Sequence, residues 1–139
     1  MSRLSQRCNR ILRVRVVEHR VAAAREAAAE RRIAELLGVA RRIGDLRASL
    51  RPALGSSHGQ SLHAMSEMHE RLGRAEGDLS HPISAAEARH EQAWAARLAA
   101  GTRKDGTERL RDRAAAGEER GQSLRDDANR PTRIRRKRG

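Results

Sequence analysis

Residues 4–51 read LSQRCNRILRVRVVEHRVAAAREAAAERRIAELLGVARRIGDLRASLR and contain no proline. Apolar positions step by three and four through Ile11, Val14, Val17, Val21, Ala24 and Ala28. After a one-residue shift the stripe resumes as Ala29, Ile33, Leu36, Ala40, Ile43, Leu46 and Leu50. This is a helical period sustained over several heptads. The shift at 28–29 is expected to be a stutter-like change of supercoil. Such a helix spans about 70 Å at 1.5 Å per residue. Globular helices average only about 11–12 residues, so one this long calls for a coiled-coil partner.

Working outward, Pro52 is expected to stop the helix. The segment 52–59 (PALGSSHG) has turn composition and suits the bend of an αα-hairpin. A second stripe follows on a return arm over 60–130: Leu62, Met65, Met68, Leu72, Ala75 and Leu79. Glu67–Arg71 and Glu70–Arg74 are i,i+4 pairs in the favourable order, worth a few tenths of a kcal/mol each, i.e. about 0.3. Pro82 predicts a kink or short break. His81 is a candidate N-cap with Pro82 at the first helical position, and Ser84-Ala85-Ala86-Glu87 also fits a capping box. Ile83, Ala86, His90, Trp94 and Leu98 continue the stripe. Leu110, Ala114, Gly117, Gly121 and Leu124 extend it with small residues, so fraying is expected toward the C-terminus. The arms are unequal, and the return arm must kink, overhang, or both.

The fold class that follows is all-α: a long antiparallel helical hairpin over 1–130, with arms 4–51 and 60–130 and turn 52–59. Residues 131–139 read as a disordered basic tail. The expected seam is Val14, Val21, Ile33, Leu36, Ile43 and Leu50 against Leu62, Met65, Leu72, Leu79, Trp94 and Leu98. Composition points the same way. Phe and Tyr are absent, Trp94 is the only aromatic, and Leu, Ile and Val together number 23 of 139 residues. That is too few bulky side chains for a sandwich, a barrel or a Rossmann core, but enough for a seam between paired helices.

The net charge of +12 is unevenly placed. Residues 1–25 carry seven arginines against Glu18, and 130–139 carry five arginines and Lys137 with no acid. The stretch 26–129 holds 17 basic and 17 acidic residues and is neutral. A hairpin would bring the two ends together as one basic pole. Its candidate partner-binding residues are Arg7, Arg10, Arg13, Arg130, Arg133, Arg135, Arg136 and Lys137. Such a pole suits nucleic acid, acidic lipid headgroups or an acidic protein surface.

Chemistry-bearing patterns are sparse. Cys8 is the only cysteine, so neither an intramolecular disulfide nor a cysteine-based zinc site can form. The six histidines make no H-E-x-x-H and no i,i+3 or i,i+4 pair. They read as solvated or seam-edge residues, and no metal site is expected. There is no Walker loop and no G-x-G-x-x-G, so no cofactor is expected and no catalytic residue is assigned. No apolar run approaches the length of a membrane span. Ile11–Val17 is broken by Arg13 and Arg15, unlike a signal peptide. A cytoplasmic location is expected, with peripheral association at the inner membrane face as a variant.

The arm Leu12-Arg13-Val14-Arg15-Val16-Val17-Glu18-His19-Arg20, the Ala-rich heptads after it and the ending Arg130-Pro131-Thr132-Arg133 resemble the flagellar FliJ-type proteins, grouped with the YscO class of type III export stalk proteins. The resemblance covers nearly the whole chain, mostly as pattern, and departs from the family in lacking mid-hairpin aromatics. It implies a non-enzymatic stalk or adaptor whose two ends enter a hexameric flagellar export ATPase. It also implies that the other end of the hairpin contacts a membrane-embedded export-gate protein, and that the chain escorts export substrates. A basic helical nucleic-acid-binding protein and a generic coiled-coil scaffold are the competing readings.

Overall fold

The computed structural model describes residues 2–54 and 59–131, without the side chains of 51–54. The order of elements is α1 (Arg3–Leu54), α2 (Gly59–Asp78) and α3 (Ser80–Asn129). No strand occurs among the described residues, and the chain is an all-α helical hairpin with α1 packed against a bent α2–α3. Residues 55–58, in the expected turn, and 132–139, in the expected tail, lie outside the described residues.

Three boundaries differ from the sequence reading. First, α1 continues to Leu54, two residues past Pro52. Proline there removes a single backbone bond, and a last turn can relax around the ring as an interior turn cannot. Second, the bend falls at Leu79. The Leu79 N–H reaches the Glu76 carbonyl at 3.3 Å, a tightened turn, and the Ile83 N–H bonds the Leu79 carbonyl at 3.0 Å. Pro82 has no N–H to continue the ladder. It lies in the first turn of α3, where an N–H has no intrahelical partner in any case. Third, Ser84-Ala85-Ala86-Glu87 and His81 lie inside α3, so neither caps a helix.

The described residues form two compact units. One joins α1 up to Arg20 with α3 from Ala99 onward; the other is Val21–Leu98. In the first, Ser5 and Leu12 of α1 are buried, as are Ala100 and Thr107 of α3. In the second, Ala22 and Leu36 of α1 and Ala86 of α3 are buried, with Ile33, Ile43, Leu50, Met65, Leu72 and Leu79 half-buried.

These positions overturn part of the expected seam. The covered residues of α1 keep a strict 3–4 spacing: Ser5, Cys8, Leu12, Arg15, His19, Ala22, Glu26, Ala29, Ile33, Leu36, Ala40, Ile43, Arg47, Leu50. There is no stutter at 28–29. The stripe read from Ile11 to Ala28 is another face of the helix, and Val14 and Val21 are exposed at 56% and 44%. On the return arm Leu62, Trp94 and Leu98 are exposed as well. Ala93 and Arg97, one residue before Trp94 and Leu98, take the covered places there. The physical reason is continuity. Ile33, Leu36, Ala40 and Ile43 set one heptad phase, and the unbroken helix carries that phase back to Leu12. Where Ala28 and Ala29 of α1 come near Ala93 and Ala96 of α3, the seam is alanine on both sides, which allows the helices to approach closely and leaves no room for an indole.

A test follows from the two faces. Leu36→Asp places a carboxylate at a buried position and is expected to cost about 3 kcal/mol. Val14→Asp, on the exposed face, should change stability by no more than about 0.5 kcal/mol. Thermal unfolding followed by circular dichroism distinguishes them, and equal losses would show that both residues are covered.

Candidate functional site

The start of α1 is held by α3. Ser2 acts as N-cap: its Oγ accepts the Ser5 N–H at 3.2 Å, the bond that satisfies an orphan donor of the first turn. The Ser2 N–H donates to Glu118 Oε1 of α3 at 2.8 Å. Hydrogen bonds from Ser2 and Ser5 to the Glu118 carboxylate lower its pKa from 4.5 to about 2. A carboxylate at the positive end of a helix is also favoured by the peptide dipoles. Seventeen residues further along, His19 packs its ring 3.5 Å from where a side chain at Gly101 would begin. The step from Ser2 to His19 equals the step from Glu118 back to Gly101, so this unit has no register slip.

An open groove lies beside the cap, lined by Ser2, Leu4, Arg113, Ala114, Gly117, Glu118, Gly121 and Arg125. The small residues on α3 create it, because they cannot fill the space against Leu4. Beyond Glu118, α3 runs on to Asn129, about 16 Å at 1.5 Å per residue. All of residues 122–130 are exposed. The return arm therefore both bends and overhangs.

Of the candidate partner-binding residues, Arg7, Arg10 and Arg13 are exposed on α1. Arg10 and Arg13 border a shallow recess with Gln6 and Asn9. Among the described residues none of the three meets a carboxylate, whereas Arg15 is bonded to Glu18 at 2.9 Å. Arg130 is exposed and 3.7 Å from Asp127. Arg133, Arg135, Arg136 and Lys137 lie outside the described residues. The exposed basic surface in view is thus the first turns of α1, with Arg3 completing it.

In the unit Val21–Leu98, polar residues cross the seam. Arg47 Nη1 donates to Glu76 Oε2 at 2.7 Å, and Arg47 Nη2 donates to His69 Nε2 at 3.4 Å. Gly73 makes space for that guanidinium, since a Cβ there would sit 3.3 Å from Arg47 Nη2. Glu26 pairs with Arg97, and Glu30 meets His90 Nε2 at 3.4 Å. The equal spacing of Glu26 and Arg47 on one arm and of Glu76 and Arg97 on the other again shows a register without slip. The donor atoms of Glu26, Glu30 and His90 lie within 4.8 Å of one another, close enough to hold a metal ion. The guanidinium of Arg97 already neutralises Glu26, and Glu30 is largely exposed. The sequence reading gave no hint of this group because its members come from different helices.

His63 and His81 are exposed, and His58 lies outside the described residues. Cys8 is a half-buried free thiol in the seam. Both i,i+4 pairs on α2 form, Glu67–Arg71 at 3.0 Å and Glu70–Arg74 at 3.8 Å. No helix is long and apolar enough to cross a membrane among the described residues. Comparison with protein-family models, with characterised proteins and with solved structures gave no match.

The Glu118 contact has a signed pH dependence. Its folded pKa is depressed, so its stabilisation is complete above the unfolded value of 4.5 and is lost as pH falls toward about 2. Glu118→Gln should lower the melting temperature at pH 6, and the gap to the unaltered chain should close across that window. A gap independent of pH would show that the carboxylate is not held by Ser2 and Ser5. Ser2→Ala should remove about 1 kcal/mol at pH 6, the usual worth of an N-cap, and less as pH falls through the same window, as read from denaturant unfolding.

Proposed function

We propose that this chain is a non-enzymatic stalk or adaptor of the flagellar type III export apparatus. On this reading it binds the hexameric export ATPase through its basic ends and contacts the export-gate protein with the other end of the hairpin. The observation that carries it is the start of α1. There Arg3, Arg7, Arg10 and Arg13 project from a helix pinned by Glu118 of α3, inside an all-α hairpin with no bulky core. A rigid, strongly basic helical end suits insertion into an acidic collar, since electrostatic complementarity accelerates encounter and fixes orientation. The grooves among the described residues are open to solvent, which suits a binding role better than a reaction requiring water to be excluded. The resemblance in sequence pattern to FliJ-type proteins supplies the identity of the apparatus. The chain would work in the cytoplasm, peripherally at the inner face of the membrane, with no cofactor.

Reversing Arg7, Arg10, Arg133 and Arg135 to Glu should abolish co-purification with the export ATPase while leaving the helical circular dichroism spectrum intact. Undiminished co-purification would remove the ATPase contact from the basic ends. Deletion of the gene should abolish motility, and a fully motile deletion strain would remove the export role altogether.

A further inference from the structure

The first turns of α1 carry a second apolar ridge that the fold does not use. Leu4, Ile11, Val14 and Val17 are exposed at 61%, 40%, 56% and 57%. Leu4 and Ile11 are one heptad apart and share a face, while Val14 and Val17 follow at steps of three, so the ridge drifts round the helix by about 140° between Leu4 and Val17. That side is distinct from the covered one, which carries Ser5, Leu12 and His19. Arg7 stands between Leu4 and Ile11, four residues from the second. Arg10 and Arg13 lie four residues before Val14 and Val17, and so neighbour them on the helix surface. All three arginines and Arg3 are exposed.

In one heptad frame Leu4 and Ile11 fall at a and Val14 at d, with Arg7 at the intervening d position and Arg10 and Val17 at g, which is the surface of a short coiled-coil contact. Its chemistry narrows the occupant. A second copy would set Arg3, Arg7, Arg10 and Arg13 against themselves, and like charges facing one another are unfavourable. A bilayer would favour Trp, Phe or Leu anchors along the ridge, but residues 3–20 hold no aromatic and the ridge is half valine. Phosphates of a nucleic acid would neutralise the arginines but leave the valines unsatisfied. β-branched side chains at coiled-coil positions pack well into the holes of a facing helix.

We propose that this face of α1 docks an amphipathic helix of a partner protein, with aliphatic residues at its a and d positions and Glu or Asp at e and g. The partner helix lays its apolar edge on Leu4, Ile11, Val14 and Val17, and its carboxylates reach Arg7, Arg10 and Arg13. The ridge covers about 20 Å of helix, two heptads, so the contact is a modest one that a third heptad or a second contact would strengthen. The inference rests on exposure and charge along α1 and holds whether or not the export reading does.

The test uses the full chain and three probes. The first is a labelled three-heptad peptide with Ile and Leu at a and d and Glu at e and g; the second carries Lys at e and g; the third is vesicles containing phosphatidylglycerol. Anisotropy should report binding of the Glu peptide and not the Lys peptide, with the peptide gaining helicity on binding. The double variant Val14→Asp, Val17→Asp should weaken that binding by about tenfold or more with its own circular dichroism unchanged. Single Arg10→Glu should weaken it as well, which separates charge from fold. Four results would overturn the proposal: no binding of the Glu peptide, equal binding by the double variant, binding to vesicles alone, or a chain that sediments as a dimer dissociated by the double variant. An unaltered chain that binds the Glu peptide but does not co-purify with the export ATPase would fault only the export reading.

Discussion

The structure depends on a seam that must hold two helices together with very little apolar bulk. Only Leu12, Ala22, Leu36, Ala86 and Ala100 are buried hydrophobic residues among those described. At about 25 cal/mol per Å² such small side chains stabilise weakly. What they permit is close, regular approach of the helices, and regularity lets polar residues meet across the seam. Glu26 with Arg97, Arg47 with Glu76 and Ser2 with Glu118 are at most partly buried, so solvent screens each of them and none dominates stability. Their value is positional. An alanine seam tolerates sliding by a heptad, whereas these pairs form in one register only, as polar seam residues do in coiled coils.

This division of labour explains one glycine. Gly73 stands where Arg47 crosses to Glu76, and a Cβ there would sit only 3.3 Å from Arg47 Nη2. It gives up helix propensity, about 1 kcal/mol relative to alanine, and in return admits a larger polar side chain from the facing helix. A chain built this way offers its partners rigid helical faces rather than a cavity, which is why its functional reading rests on exposed residues and charge.

Much of this was legible in the amino-acid sequence. The absence of proline before Pro52, the turn composition after it and the interruption near Pro82 define two helical arms with a bend in the second. The pairs Glu67–Arg71 and Glu70–Arg74 follow from spacing alone. The phase of the seam did not follow. Ile11 and Leu12, Val21 and Ala22, Ala93 and Trp94 are neighbours in the chain, and hydrophobicity favours the wrong member in several cases. A period-based reading selects the bulkier stripe, but a seam limited by close approach selects the stripe that continues unbroken through alanine. The Ser2–Glu118 cap and the Glu26, Glu30 and His90 cluster were invisible for a related reason. They join residues far apart in the chain, and no local pattern encodes the register that brings them together.

That register, with the start of α1 lying against the late turns of α3, is the claim to test first. The chain supplies its own probe in Cys8, a half-buried thiol in the seam. Counting from the contact of Ser2 and Ser5 with Glu118 places Cys8 opposite Ala114. A cysteine introduced at Ala114 should form a disulfide with Cys8 on mild oxidation, because bridging requires Cα atoms within about 7 Å. A cysteine at Gly121, one heptad further along, should remain free. Crosslinking at Gly121 in place of Ala114, or at neither, would contradict the account.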